Sequence, residues 1–475
     1  MPSSPVFLRV STTNNRVVPY SRLLSTDLST VSTVVNTVKE LTLKKLDPIT
    51  RRWMDPDPNP KRPGRRDQQD CGASMGSPAQ GKTTITSQMD DKGAPVRFQV
   101  NRDVFSEAVS FVVKLLPQRN PQPILAGVLI EADGSGLTLS AFDYEASART
   151  TIEATVDTSG TILVHGRLLS DIANRLPNAP IEIAVEDDGG ITVTCGSARF
   201  TLAAMPVEEY PSIPEVSGSS GVVPADDFAT AIAQVGFAAS RDDVTPVLTG
   251  VQLEVSGQSL SLVATDRYRV SLRDVPWDGE AVDQSALVPA RTLLEVGKTF
   301  GHAGTIQIAF SGAGDREIIA FTSGNKTVTS LLIKGNFPPV RRLFPEQTDH
   351  YAVVNTADLV EAVRRVALVL DRAAPLRFTF SHDGVTMDAS GSEHARASES
   401  VDAILNGGEE VTLGLNPQYL IEALGAVKSE FVRVTFTSSD NANKLSPVLI
   451  TSQTSVDQAG LDSFKYLLQP NLLLR

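Results

Sequence analysis

PILAGVLIEADGSGLTLSAFD at residues 123–143 and PVLTGVQLEVSGQSLSLVATD at residues 246–266 align without a gap, with 10 of 21 positions identical. Self-similarity at one fixed offset, here 123 residues, marks duplicated structural units. The stretch upstream repeats as well. Apolar or small residues fall at i, i+3, i+4, i+7, i+8 and i+11 from Phe105, again from Phe228, and again from Leu359, the spacing of a helix with one buried face. A third copy therefore begins near Leu359, with Pro375 aligned to Pro246. A second helix recurs as GRLLSDIANRLP (166–177), PARTLLEVGKTF (289–300) and NPQYLIEALGAV (416–427). Between and after these helices, alternating stretches such as ITVTCGSARFTL and LVATDRYRVSL read as strands.

The expectation is an α+β chain of three similar domains, at 96–213, 221–345 and 350–475, each with two helices packed on antiparallel sheets. Units repeated in a line expose strand edges, which closure into a ring removes. Two such chains would make a six-domain ring.

Residues 1–88 differ from the rest: 13 Lys and Arg stand against 7 Asp and Glu, leaving 30 against 48 for the remainder of a chain of net charge −12. Residues 1–95 are read as a disordered or mis-annotated N-terminal extension, with Met89 as a plausible true start. An acidic body that acts on DNA must gather its cations on one face. Lys114, Arg167, Arg175, Arg291, Lys298, Arg364 and Arg365 all fall on the recurring helices, off their apolar stripes. Taken singly, each is explained as a solvated helix face; together they suggest a positive lining. A ring holds DNA topologically, so weak phosphate contacts suffice and no base readout is needed.

Other chemistries find little support. GSPAQGKT (76–83) satisfies G-x-x-x-x-G-K-S/T, but no apolar strand precedes it and Gly and Pro follow closely, so a nucleotide hydrolase is the remote alternative. The five histidines share no ligand spacing, and the two cysteines, Cys71 and Cys195, build neither a disulfide framework nor a zinc site. No catalytic group, metal or cofactor is expected. Two cysteines and no long apolar run point to a reducing cytoplasm and away from a membrane.

LPQRNPQPILAGVLI, GRLLSDIANRLP, MPVEEYPSIP, SRDDVTPVLTGV, ATDRYRV, FPPVRRLFP and NPQYLIEAL resemble the bacterial DNA polymerase III beta subunit, or sliding clamp, family, in its high-GC Gram-positive form, over residues 96–475. The resemblance implies a homodimeric ring around double-stranded DNA, placed there by a separate clamp loader and serving a replicative polymerase without being an enzyme. It implies a partner-peptide pocket between the second and third domains, from Val247, Leu248, Thr265, Arg267, Tyr268, Arg269, Val270, Pro338, Arg342, Leu343, Leu467, Gln469 and Pro470. Arg119, Arg241, Asn416 and Tyr419 resemble positions near the DNA path. One departure stands out. Family members end in Met-Pro-x-Arg-Leu, whereas this chain has Gln469 for the Met and Leu472 for the Arg. A polar amide in place of a flexible pocket filler suggests a second reading, a specialised clamp that tolerates a clamp-binding antibiotic.

Overall fold

In the computed structural model the described residues are 95–475, apart from 115–121, 215, 217, 281–282, 303, 312–316, 346–348, 372–373, 392–394, 438–445, 461–462 and 474–475. The N-terminal extension, Cys71, the 76–83 loop and Arg119 lie outside the described residues.

Helices form where the apolar period predicts them: α1 (Arg102–Lys114), α2 (Gly166–Ala173), α3 (Ala225–Val235), α4 (Ala290–Phe300), α5 (Thr356–Val366) and α6 (Pro417–Ala426). Short polar side chains start several of them. Asn101 Oδ1 accepts from the amides of Asp103 and Val104, and Asn355 Oδ1 from those of Ala357 and Asp358. Such caps satisfy amides that the helix itself leaves bare. Phe105, Phe228 and Leu359, the first members of the three stripes, are at most 1% exposed.

Four antiparallel sheets carry the helices, and two of them cross from one repeat to the next. Strand Lys326–Leu331 of the second repeat pairs with Ala146–Ile152 of the first, with Val328 opposite Ala148. Strand Lys465–Leu468 of the third pairs with Arg269–Pro276 of the second, with Tyr466 opposite Ser271. The helices continue the same succession. Within each repeat the two helices pack together. Between repeats, Phe111 of α1 meets Phe300 of α4 at 6.2 Å, and Gln234 Nε2 of α3 donates to the Ala426 carbonyl of α6 at 2.9 Å. Lys326 Nζ also reaches Glu107 of α1 at 2.6 Å. The row therefore runs α2, α1, α4, α3, α6, α5.

Among the described residues, each end of the chain keeps a strand with one free edge. Ala198–Ala203 is the edge of the five-stranded sheet of the first repeat, and Arg396–Val401 the edge of the four-stranded sheet of the third. One alignment from sequence is corrected. Hairpin register sets Ser381 opposite Gly384 as it sets Ser256 opposite Ser259. Counting back from those turns places Pro375 on Gly250 rather than on Pro246.

Candidate functional site: an apolar hollow and a row of helix cations

Directly paired residues of neighbouring strands point to the same side of a sheet, and successive residues to opposite sides. In the second repeat, Leu253, Leu262 and Val251 face the helices and join the core. The other side carries Val263 opposite Leu272, Thr265 opposite Val270, Val270 opposite Leu467, and Leu467 opposite Leu449. All are buried, yet none belongs to a helix-side core. They make a second apolar layer on the sheet face turned away from the helices.

What covers that layer also borders it. The 3-10 turn Val340–Leu343 is pinned across the strands by Arg341, whose Nε meets Glu254 at 2.7 Å and whose Nη2 lies 3.7 Å from Asp274. Pro338 accepts the Val340 amide at 2.7 Å. Val247, half-buried beside the buried Leu248, sits against Gly335: a Cβ there would lie 2.6 Å from Val247 Cγ1. On the third side, the Gln469 amide donates to the Tyr268 carbonyl at 2.9 Å, which brings Gln469 and buried Pro470 to the same edge. Arg267 adopts φ 84° in the tight turn where Asp266 Oδ1 accepts from the amides of Tyr268 and Arg269. Tyr268 is left 60% exposed. Arg342 is exposed on the covering turn and Leu343 is half-buried.

Arg269 has another job. It neighbours Val270 and therefore points to the opposite, helix side. Its guanidinium, 5% exposed, meets Asp266 at 2.9 Å, Glu422 of α6, and the Phe237 carbonyl at 2.8 Å, with Tyr419 stacked 4.4 Å away. Burial pushes the Asp266 carboxyl up, against the pull of Arg269. Burial also penalises Glu422, but hydrogen bonds from Arg269 and Gln418 outweigh it and hold that carboxyl below its usual value. Arg269 thus ties the second repeat to the third and has no face to offer a peptide. Tyr419, expected near DNA, belongs to this junction: it stacks on Tyr268 at 6.3 Å, and its carbonyl accepts from the Tyr466 hydroxyl. Asn416 caps α6 by accepting from the amides of Gln418 and Tyr419.

The first repeat holds the same hollow, filled. Phe142 stands where the second repeat has Thr265, and is 2% exposed. The Tyr210 hydroxyl accepts the Phe142 amide at 2.8 Å, and burial raises that phenol to about 12. An aromatic ring thus fills, in the first repeat, the position that a buried threonine holds in the second.

The predicted cations are exposed at Lys114, Arg167, Arg291, Lys298, Arg364 and Arg365 on the helices and at Arg175, which lies in the turn just past α2 rather than on it, and Arg241 lies 3.9 Å from Glu422 in the junction loop. Several pair with nearby acids: Arg175 with Asp171, Lys298 with Glu295, Arg364 with Glu361. Exposed pairs of this kind contribute little and exchange readily for phosphate. Arg365 differs. It occupies the position of Phe111 and Gln234, the residues that reach across to the next repeat, and it is drawn to Glu399 on the edge strand at 2.6 Å. Its equivalents Phe111 and Gln234 each reach across a junction between repeats. Lys428, exposed just past α6, is a cation the sequence reading missed. Among the described residues no cluster of His, Cys, Asp or Glu could hold a metal ion, and no helix is long and apolar enough to cross a membrane.

Three two-helix repeats strung on shared antiparallel sheets, with cations along one helix row, define a clamp of the DNA-encircling class. The profiles of the DNA polymerase III beta subunit match its N-terminal domain at residues 96–214, its central domain at 222–339 and its C-terminal domain at 341–459. The chain belongs to the DNA polymerase III beta subunit family, the bacterial sliding clamps. It is 43% identical to a beta sliding clamp of Streptomyces coelicolor over 378 residues, covering 79% of this chain and 99% of that one. It is 38% identical to the beta sliding clamp homolog GriR of Streptomyces muensis, over 79% of this chain and 99% of that one. Among solved structures, a Pseudomonas aeruginosa sliding clamp bound to griselimycin superposes with a TM-score of 0.72 at 28% identity, covering 80% of this chain and all of the other.

Proposed function

We propose that two copies of this chain close head to tail around double-stranded DNA and act, without catalysis, as a processivity factor for a replicative polymerase. The observation that carries the ring is a pair of exposed apolar residues, one in the first repeat and one in the third. Phe200, on the free edge strand Ala198–Ala203, is 40% exposed, while its equivalents Val328 and Tyr466 are at most 1% exposed in the two repeat junctions. Leu368, just past α5, is 83% exposed. Its equivalent Phe237 stacks on Tyr466 at 5.8 Å. By that equivalence Phe200 of one copy packs on Leu368 of the other, and strand 198–203 pairs with strand 396–401. Both ends are then used up and the assembly closes.

The apolar hollow around Thr265, Val270 and Leu467 is the proposed dock for short peptides of the polymerase and clamp loader, with Leu343, Val247 and Gln469 on its rim. The helix cations other than Arg365 are the proposed DNA face. Sedimentation and DNA retention test the reading together. The wild-type chain should sediment as a dimer and stay on nicked circular DNA until the circle is cut. Phe200→Asp and Leu368→Asp should each sediment as monomers and be lost from the circle. A dimer surviving both substitutions would overturn the proposed closure.

A second reading, a clamp specialised for antibiotic tolerance, rests on Gln469 at the rim of the hollow. The relative named GriR and the griselimycin-bound clamp make that comparison pertinent. The identity to the Streptomyces coelicolor clamp is nevertheless the higher of the two quoted, 43% against 38%. Replacing Gln469 by Met should tighten griselimycin binding if the amide excludes it, and an unchanged affinity removes this second reading.

A further inference from the structure

Threefold repetition generates three versions of one hollow. In the first repeat it is plugged by Phe142 under Tyr210; in the second it is apolar. The hairpin turns fix the correspondence in the third. The row Gly250–Thr265–Val270 becomes Pro375–Ser390–Arg396, and the row Gln252–Val263–Leu272 becomes Arg377–Asp388–Ser398. Those residues line an open cavity of about 590 Å³, walled on one side by Leu473.

We propose that this cavity is a second peptide-docking site, selective for acidic peptides. The sheet framework is the one that presents the apolar dock in the second repeat, and here its side chains are charged or hydroxylic. Arg377 faces Asp388 directly across the strands, so the aspartate partly balances that cation and leaves Arg396 as the net positive charge. Arg377 and Arg396 are both exposed and can each present a planar fork to a carboxylate. Asp388 disfavours a polyphosphate and suits the amide hydrogens of a peptide backbone, with Ser390 and Ser398 as neutral partners. On ring closure, repeat equivalence sets Arg199 of a second copy, itself paired with Glu186 at 3.1 Å, opposite Ser398, as Thr327 stands opposite Arg149. The tail joins the two sites: Gln469 borders the apolar hollow, Asn471 bridges to Gly414, and Leu473 reaches the polar cavity.

The inference builds on the reading of the second-repeat hollow as a peptide dock, and the test separates the two. Fluorescein-labelled hexaglutamate, with hexaglutamine as control, is titrated into the full-length dimer at low salt and followed by anisotropy. Hexaglutamate should saturate and hexaglutamine should not. The double reversal Arg377→Glu with Arg396→Glu should weaken hexaglutamate binding by at least about tenfold. The reversal Arg291→Glu with Lys298→Glu, on the helix row, should leave it within about twofold. Retention on nicked circular DNA is scored on the Arg377→Glu, Arg396→Glu protein to confirm an intact ring. Absence of hexaglutamate binding, or its loss only in the helix-row variant, overturns the proposal while leaving the clamp reading untouched. Loss of both binding and DNA retention in the wild-type chain would instead count against the clamp reading.

Discussion

Arg269 and Val270 are neighbours that do unrelated things, because successive strand residues face opposite ways. Val270 floors the hollow, whereas Arg269 is buried among Asp266, Glu422, the Phe237 carbonyl and the Tyr419 ring. Removing one member of a buried ion network strands the others, at a cost of about 3–5 kcal/mol. Arg269→Ala should therefore lower unfolding free energy by about 3 kcal/mol, read by denaturant titration, and should loosen the second repeat from the third. The network also sets a pH dependence. Glu422 is held below its ordinary 4.5, so its stabilisation is present above that value and fades as pH falls through the depressed one. Asp266 is raised by burial and contributes in the opposite sense, but it is common to wild type and variant. The gap in Tm between wild type and Glu422→Gln should be wide at pH 7 and close as pH falls through the depressed value of the Glu422 carboxyl. A gap independent of pH would show that Glu422 acts through packing. Sequence alone did not show that Arg269 is buried at the junction of the second and third repeats, that Asn416 caps a helix or that Tyr419 stacks on Tyr268, because none of the three reveals its strand face or its capping bond until the register is known.

At the scale of elements, the helices were legible because a 3.6-residue apolar stripe survives in all three copies. The hairpins were legible because alternation does too. The hollow was only half legible. Thr265, Val270 and Leu467 could be grouped by resemblance, but their neighbours Val263, Leu272 and Leu449 look like ordinary core until the pairing puts them on the far side of the sheet. The difference between first and second repeats reduces to Phe142 against Thr265, with Tyr210 locking the former in place. Truncating a fully buried aromatic leaves a cavity and typically costs about 3–5 kcal/mol. Phe142→Thr should lower the stability of the first repeat by roughly that much. In the same variant a benzene-sized apolar probe should bind the vacated space, detectable by ligand-observed NMR. Destabilisation without probe binding would mean that Tyr210 collapses into the gap.

At the scale of the molecule, the edges decide the assembly and the helix row decides what it encloses. The place of Phe200 follows from the repeats alone: aligning the last hairpin of each sets it on Val328 and Tyr466, both residues of continuous sheets. Leu368 was harder, since its exposure depends on which neighbour is absent. The helix periods group the cations as a set, and helix position alone does not separate a residue at the proposed closure, Arg365, from those of the proposed lining. A net charge of −12 makes the enclosure delicate. DNA must be held by topology, with each phosphate contact weak and releasing a counterion. Arg167, Arg291, Lys298 and Arg364 changed together to Ala should leave a dimer of normal mass, and the loaded ring should persist on closed circles in high salt. Encounter with linear DNA should be weaker, and the slope of log K against log salt should fall by about 0.9 for each phosphate contact removed. If the substituted ring instead falls from closed circles as fast as from linear DNA, its grip is adhesive rather than topological, and these helices face something other than the duplex.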